Sequence, residues 1–194
     1  MNGAADTVDA DNATVSLTDG SSAAVIGDNA TIQGGGGDAV AVSGSNISVS
    51  LNSGSLNLAD QAQASLTGDN DTVIGGANDS LTVQGNADTV GLNGATVTVG
   101  ADSTVAVTGN DTTVSIGANA GATITGANDN LAADLTASVT VNGTNDTVNG
   151  AAAADTAYNN LVSAMAAFPP SGADQASLVT VVNDQPPVIA VNHG

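Results

Sequence analysis

The residues of this chain most able to do chemistry are aspartates, which recur in short clusters with Gly and Asn. All 19 acidic residues are Asp, since the sequence contains no Glu, and Lys, Arg and Cys are absent. Carboxylates close to backbone carbonyls are the ligands that Ca²⁺ prefers, but Asp side chains also cap turns. The candidate metal ligands, which are equally candidate turn caps, are Asp69, Asp71, Asp79, Asp88, Asp102, Asp111, Asp129 and Asp146.

An internal repeat indicates which elements position these residues. Alternating polar and apolar residues, as in residues 96–99, predict a short strand with one buried face. Two interleaved series of such strands run along the chain, with steps of 15 to 17 residues in the first and 15 to 19 in the second. The first series contains Val15, Ile32, Val49, Leu66, Leu81, Val97, Val114, Leu131 and Val148, and the second contains Val25, Val40, Leu56, Val73, Val90, Val105, Ile124 and Val139.

Together the two series predict an all-β fold, a parallel two-sheet β-solenoid (β-roll or β-helix) with about 17 residues per coil. We name the sheet of the first series sheet I and that of the second series sheet II. Neighbouring coils are expected to stack at ~4.8 Å, the usual spacing between strands. The solenoid is assigned to residues 1–150, with its repeat starting near residue 12, and a separate segment to residues 151–194.

The segment 151–194 differs in composition, because it contains the only Tyr, the only Phe and all four Pro. Helical spacing predicts a helix over 151–168, and β-branched runs predict strands at 177–182 and 188–191. The segment either caps its own rod or completes the sheet edge of the next subunit. The candidate assembly residues are Tyr158, Leu161, Val162, Met165, Phe168, Val179, Val181, Val188 and Ile189.

Polar columns accompany the first series. Amides two residues before each strand predict a turn ladder of stacked side chains, with Gln63 in the fourth coil. The ladder consists of Asn12, Asn29, Asn46, Asn78, Asn128 and Asn145. On the outside of sheet I, hydroxyl residues predict a flat polar face, either simply solvated or able to bind a ligand. That face consists of Thr14, Thr31, Ser48, Ser65, Ser80, Thr96, Thr98, Thr113 and Thr147.

The outside of sheet II is instead rich in small apolar residues, which predict a lateral contact with another rod. These residues are Ala24, Ile26, Ala39, Ala41, Ile74, Gly91 and Ala106.

Two resemblances bear on function. Residues 76–81, 85–90 and 143–148 each begin with Gly and place an Asp three residues later, followed by a polar and an apolar residue. They resemble the RTX, or haemolysin-type, repeats of bacterial secreted proteins, which implies a parallel β-roll with Ca²⁺ in its turns. The polar face of sheet I is similar to the threonine faces of β-solenoid ice-binding proteins, which implies ice binding.

Composition also argues against several classes of function. A charge of −19 with no basic side chain argues against binding to nucleic acid. No apolar run approaches about 18 residues, so no membrane insertion is expected. Because Lys, Arg and Cys are absent and His193 is the only His, we expect no enzyme.

The composition and the repeat favour an extracellular or cell-surface structural protein. We expect it to associate with itself head to tail, as a filament, sheath, matrix or adhesin stalk. An ice-binding protein and a calcium-dependent adhesin repeat domain are the alternatives.

Overall fold

The computed structural model describes residues 6–150, 153–155, 177–178 and 191–192, and the description below concerns these residues only. Residues 6–155 alternate between two parallel sheets, as predicted. Sheet I contains β2 (Thr14–Ser16), β4 (Thr31–Gly36), β6 (Ile47–Asn52), β8 (Gln63–Thr67), β10 (Ser80–Gln84), β12 (Thr96–Val99), β14 (Thr113–Ile116), β16 (Asn130–Ala133) and β18 (Thr147–Gly150). Sheet II contains β1 (Asp6–Asp9), β3 (Ser22–Ile26), β5 (Ala39–Ser43), β7 (Ser55–Leu58), β9 (Thr72–Ala77), β11 (Asp88–Asn93), β13 (Thr104–Thr108), β15 (Gly121–Ala127), β17 (Ser138–Thr144) and β19 (Ala153–Asp155).

Each strand pairs in parallel with the strand one coil away, which confirms the stacked rungs. Val97 lies beside Val114 at a separation of 17 residues, and Thr98 lies beside Ser115. Consecutive strands of the chain belong to opposite sheets, and the order within each sheet follows the sequence. The chain therefore winds as a solenoid of about eight coils.

The core is a thin aliphatic layer between the sheets. Strand residues alternate between buried and exposed, as in β6, whose burial pattern has a period of two. One continuous cluster of Val, Leu, Ile and Ala extends from Val15 to Val141, and Leu51, Leu66 and Leu92 are fully buried within it. No aromatic residue belongs to this cluster, which is consistent with sheets packed about 10 Å apart.

The register differs from the predicted one where the series steps departed from 17. Ser80 lies beside Gln63 instead of Ser65, and Ser65 lies beside Thr82. In sheet II, Val25 pairs with Val42 and not with Val40. A shift of two residues keeps each side chain on the same face, so the hydrophobic pattern alone does not distinguish the two registers.

Both ends of the repeat also differ from the prediction. Sheet II begins at β1, before the predicted start near residue 12, and β19 extends it beyond residue 150 by pairing with Val139–Val141. The helix predicted over 151–168 is therefore wrong at residues 153–155. Alanine is a good helix former, but here pairing with the open sheet edge prevails over local propensity.

Most of the C-terminal predictions lie outside the described residues. This is the case for the rest of the helix and for all the candidate assembly residues, from Tyr158 to Ile189. Two short strands are described there, β20 (Ser177–Leu178) and β21 (Val191–Asn192), which pair antiparallel.

Truncation of a central core side chain should destabilise the rod strongly. Leu92 is fully buried, so we expect Leu92→Ala to lower the free energy of unfolding by about 2–5 kcal/mol in denaturant titrations. Thr98→Ala, on the exposed face of sheet I, is the matched control and should change it by less than about 0.5 kcal/mol. Equal effects of the two substitutions would contradict the assignment of inner and outer faces.

Candidate functional surfaces

The corners of the coil each contain one residue in the left-handed backbone region. We name the turn from sheet I to sheet II corner A, and the return turn corner B. The left-handed residues of corner A are Gly20, Gly37, Ser53, Asn70, Ala87, Asp102 and Asn119, and those of corner B are Asn12, Asn29, Asn46, Gln61, Asn78, Gly94, Asp111, Asn128 and Asn145. Asn, Asp and Gly tolerate this conformation best, which explains their recurrence.

The predicted turn ladder thus lies at corner B, where its six Asn residues are all left-handed and exposed. Some of their amides also stack: Asn46 Nδ2 donates to Asn29 Oδ1 at 3.5 Å, and Asn145 Nδ2 donates to Asn128 Oδ1 at 3.4 Å. In the fourth coil the left-handed residue is Gln61, and Gln63 begins β8 instead.

The residue that precedes the left-handed position is exposed and binds the following coil. The N–H of Asp28 donates to Asp11 Oδ1 at 2.8 Å, and the N–H of Ser45 donates to Asp28 Oδ1 at 2.7 Å. The N–H of Asn86 donates in the same way to Asp69 Oδ1 at 2.7 Å. These carboxylates therefore tie neighbouring coils together at the surface.

The residue that follows the left-handed position is buried and binds the preceding coil. At corner A, Asp71 Oδ1 accepts from the N–H of Gly54 at 2.7 Å, and Asp88 Oδ1 accepts from the N–H of Asp71 at 2.9 Å. At corner B, Asp129 Oδ1 accepts from both the N–H and the hydroxyl of Thr112, at 2.8 and 2.7 Å. Each corner is thus bonded to the coil on either side.

A glycine covers the second oxygen of each of these buried carboxylates. A methyl group on Gly68 would lie 2.7 Å from Asp71 Oδ2, and one on Gly126 would lie 2.8 Å from Asp129 Oδ2. The spacing of three residues between Gly and Asp seen in the sequence is explained by this contact. The Oδ2 atoms of Asp71, Asp88 and Asp129 have no hydrogen-bond partner.

Burial makes these carboxyl groups weaker acids. It is the largest cause of the rise in the pKa of Asp88 to about 6; the N–H of Asp71 opposes that rise, and the charges of Asp71 and Asp69 add to it. Burial likewise raises the pKa of Asp71 and of Asp79. The described part of the chain contains no Lys or Arg that could offset the cost of these buried charges.

The predicted metal ligands fall into two populations at two corners. Asp71, Asp79, Asp88 and Asp129 are buried and Asp146 is partly buried, whereas Asp69, Asp102 and Asp111 are exposed. Among the described residues, no three acidic side chains or His form a group able to hold a metal ion. Calcium coordination takes six to eight oxygens, and these residues do not assemble that cage. Calcium binding stays a prediction from the resemblance to RTX repeats.

Sequence reasoning missed one member of the buried set, Asp38. Its Oδ1 accepts from the N–H of Ser21 at 2.8 Å, and its Oδ2 accepts from the N–H of Gly35 at 2.6 Å. The signal was its position directly after Gly37, a left-handed glycine.

All the aspartates of the central coils lie at the corners. Sheet I has no Asp in any of its strands, and between β3 and β17 the only strand Asp of sheet II is the buried Asp88. The rod therefore has two anionic edges and two uncharged faces. Charge repulsion between rods is weakest where two of these faces meet.

The outer face of sheet I carries hydroxyl and amide groups, and all members of the predicted flat polar face lie on it except that Thr31 is partly buried. The register shift divides them between two columns. Thr14, Thr31, Ser48 and Ser65 continue into Thr82 and Thr98, whereas Ser80, Thr96, Thr113 and Thr147 form a column two residues away that begins at Gln63.

The outer face of sheet II is more apolar. Ile26 and Ile74 are 45% and 54% exposed, the highest values for a large hydrophobic residue in any described strand. Between them lies a shallow groove of about 410 Å³ lined by Ala24, Ala41 and Asn57, among others.

Comparisons with protein-family models, with curated proteins and with solved structures give no match for this chain. Among the described residues, no helix could span a membrane. The functional argument therefore depends on the geometry of the corners, the faces and the ends.

The buried carboxyl groups should make the rod more stable in acid than at neutral pH. The pKa of Asp88 is raised in the folded chain, so the folded state holds a proton that the unfolded state has released. The resulting stabilisation is complete below about pH 4 and is lost as the pH rises through about 6. We expect the free energy of unfolding to fall across this range, by up to about 3 kcal/mol from this group.

Asp88→Asn should flatten that fall in urea titrations at a series of pH values, because the amide keeps an acceptor for the N–H of Asp71 but does not ionise. Asp111→Asn, at an exposed corner position, is the matched control and should retain most of the pH dependence. A rod that becomes more stable from pH 5 to pH 8 would refute this view of the corner.

Proposed function

We propose that this chain is an extracellular structural protein whose rods join end to end in a filament, sheath, matrix or adhesin stalk. The observation that carries the proposal is the pair of strand edges at the N-terminal end. Among the described residues, no strand lies beyond β1 in sheet II or beyond β2 in sheet I. Unpaired strand edges are surfaces for pairing with another chain.

The repeat makes the two ends complementary in principle. Every coil stacks on its neighbour with the same parallel pairing, so an N-terminal edge presents the surface that a C-terminal edge binds. A head-to-tail contact of this type does not close on itself, and therefore produces a filament. In this proposal residues 151–194 form the other half of the junction, as either a cap that is displaced or a strand donor.

The anionic corners suit an extracellular rod. Exposed carboxylates such as Asp11, Asp28 and Asp69 keep the sides hydrated, and the absence of Lys and Arg removes every cleavage site for trypsin-like proteases. Zero Cys means that the rod needs no oxidising compartment for its stability.

Electron microscopy with an edge variant tests this proposal. Ala10 N–H donates to the Ile26 carbonyl, so the N–H of Asp9, one residue earlier in the strand, points to the open side of β1. Asp9→Pro removes that donor without removing a bond to β3. We expect filaments from the original chain and from the control Asp9→Ala, and isolated rods from Asp9→Pro. A monodisperse monomer of the original chain at millimolar concentration would refute end-to-end joining.

Ice binding is the second candidate, favoured by the flat, uncharged hydroxyl face of sheet I. In that case the chain should show thermal hysteresis, and Thr96→Tyr should abolish it by raising a bulky ring above the face. Ala106→Tyr, on the outer face of sheet II, is the control and should have no effect. An absence of hysteresis in the original chain would exclude this function.

A further inference from the structure

We infer that two rods also pair side by side, through the outer face of sheet II, with a second copy of this chain as the partner. This contact is distinct from the end-to-end junction proposed above and does not depend on it. The inference rests on three properties of the face: its lack of charge, its relief and its area.

The first property concerns repulsion between copies. The chain carries a net charge of −19, so two copies repel each other wherever their corners approach. From β3 to β17 the outer face of sheet II presents Ala, Ser, Thr, Asn and Ile but no ionised side chain. A basic partner would be attracted to the corners instead, whereas an uncharged face suits an equally uncharged one.

The second property is a relief that complements itself. Ala24, Ala41, Asn57, Ile74 and Gly91 follow one another in a single column along the rod. Ile74 protrudes from this column, while the alanines form the floor of the groove two and three rungs away. The protrusion and the hollow thus belong to the same surface, as an interface with two-fold symmetry requires.

The position of the symmetry axis follows from the rung order. An axis perpendicular to the face at Asn57, in β7, exchanges β9 with β5. Ile74 of each copy then lies above Ala41 of the other, one rung from the axis on either side. Each isoleucine, 54% exposed in the single rod, is covered in the hollow of its partner.

The third property is area. Ten strands at ~4.8 Å, each about five residues long, give a face of roughly 43 by 17 Å, or about 700 Å² per rod. Two such faces bury about 1,400 Å², which lies within the range of specific protein interfaces. Sheet I has a similar area, but its hydroxyl and amide groups would lose water on contact without gaining apolar burial.

Site-directed crosslinking tests the pairing, because the chain has no Cys and a single introduced thiol is unique. Asn57→Cys lies at the proposed axis, where the two copies bring their thiols together. Thr98→Cys, equally exposed but on sheet I, is the matched control. Both are made in the Asp9→Pro background, so that end-to-end joining does not contribute. The probe is a short bismaleimide, applied in about 1 M NaCl to screen the corner charges.

We expect Asn57→Cys to form a covalent dimer at least about tenfold faster than Thr98→Cys, because pairing raises the local thiol concentration. Adding Ile74→Asp to Asn57→Cys should reduce the rate to the control value, and circular dichroism should show that the rod is still folded. Equal rates for the two single-thiol variants would overturn the inference. It would also be overturned if Ile74→Asp left the rate of Asn57→Cys unchanged. Filament formation by the original chain is scored separately, so the two proposals can fail independently.

Discussion

The structure depends on how the chain turns a corner every eight or nine residues without leaving backbone donors unsatisfied. A turn this tight requires a left-handed residue, and the groups on either side of it face in opposite directions along the rod. The preceding side chain, as in Asp28, accepts an N–H from the next coil, and the following one, as in Asp71, accepts an N–H from the previous coil. Backbone groups that no sheet can satisfy are thereby bonded between coils, and the aliphatic core is held at a constant thickness.

This arrangement separates charge from contact surface. Because Asp serves at the corners and hydroxyl or small residues serve on the faces, the rod has charged edges and neutral flat sides. The electrostatic cost is met in two ways: exposed carboxylates are screened by solvent, and buried ones such as Asp88 have a raised pKa. An uncharged face on a polyanion is also where two copies can approach most closely, and an open strand edge is where one can continue into the next.

The coil length, the parallel two-sheet architecture and the buried positions could all be predicted from the sequence, because period-two alternation and a 17-residue step are local signals. The register at the irregular coils could not, because Ser80 beside Ser65 and Ser80 beside Gln63 give the same inner and outer faces. The left-handed residue, Gln61 instead of Gln63, carries the missing information. The two aspartate populations were not separated either, since inward and outward corner positions differ by two residues and both favour Asp.

The central claim is that the rungs are stacked in register along sheet I, and electron–electron spin-label distances test it most directly. Labels attached at Thr14 paired with Thr82, and at Thr14 paired with Ser115, are four and six rungs apart in the observed register. At ~4.8 Å per rung the account predicts backbone separations of about 19 and 29 Å, with narrow distributions. Broad distributions, or separations that do not grow with the number of rungs, would contradict it.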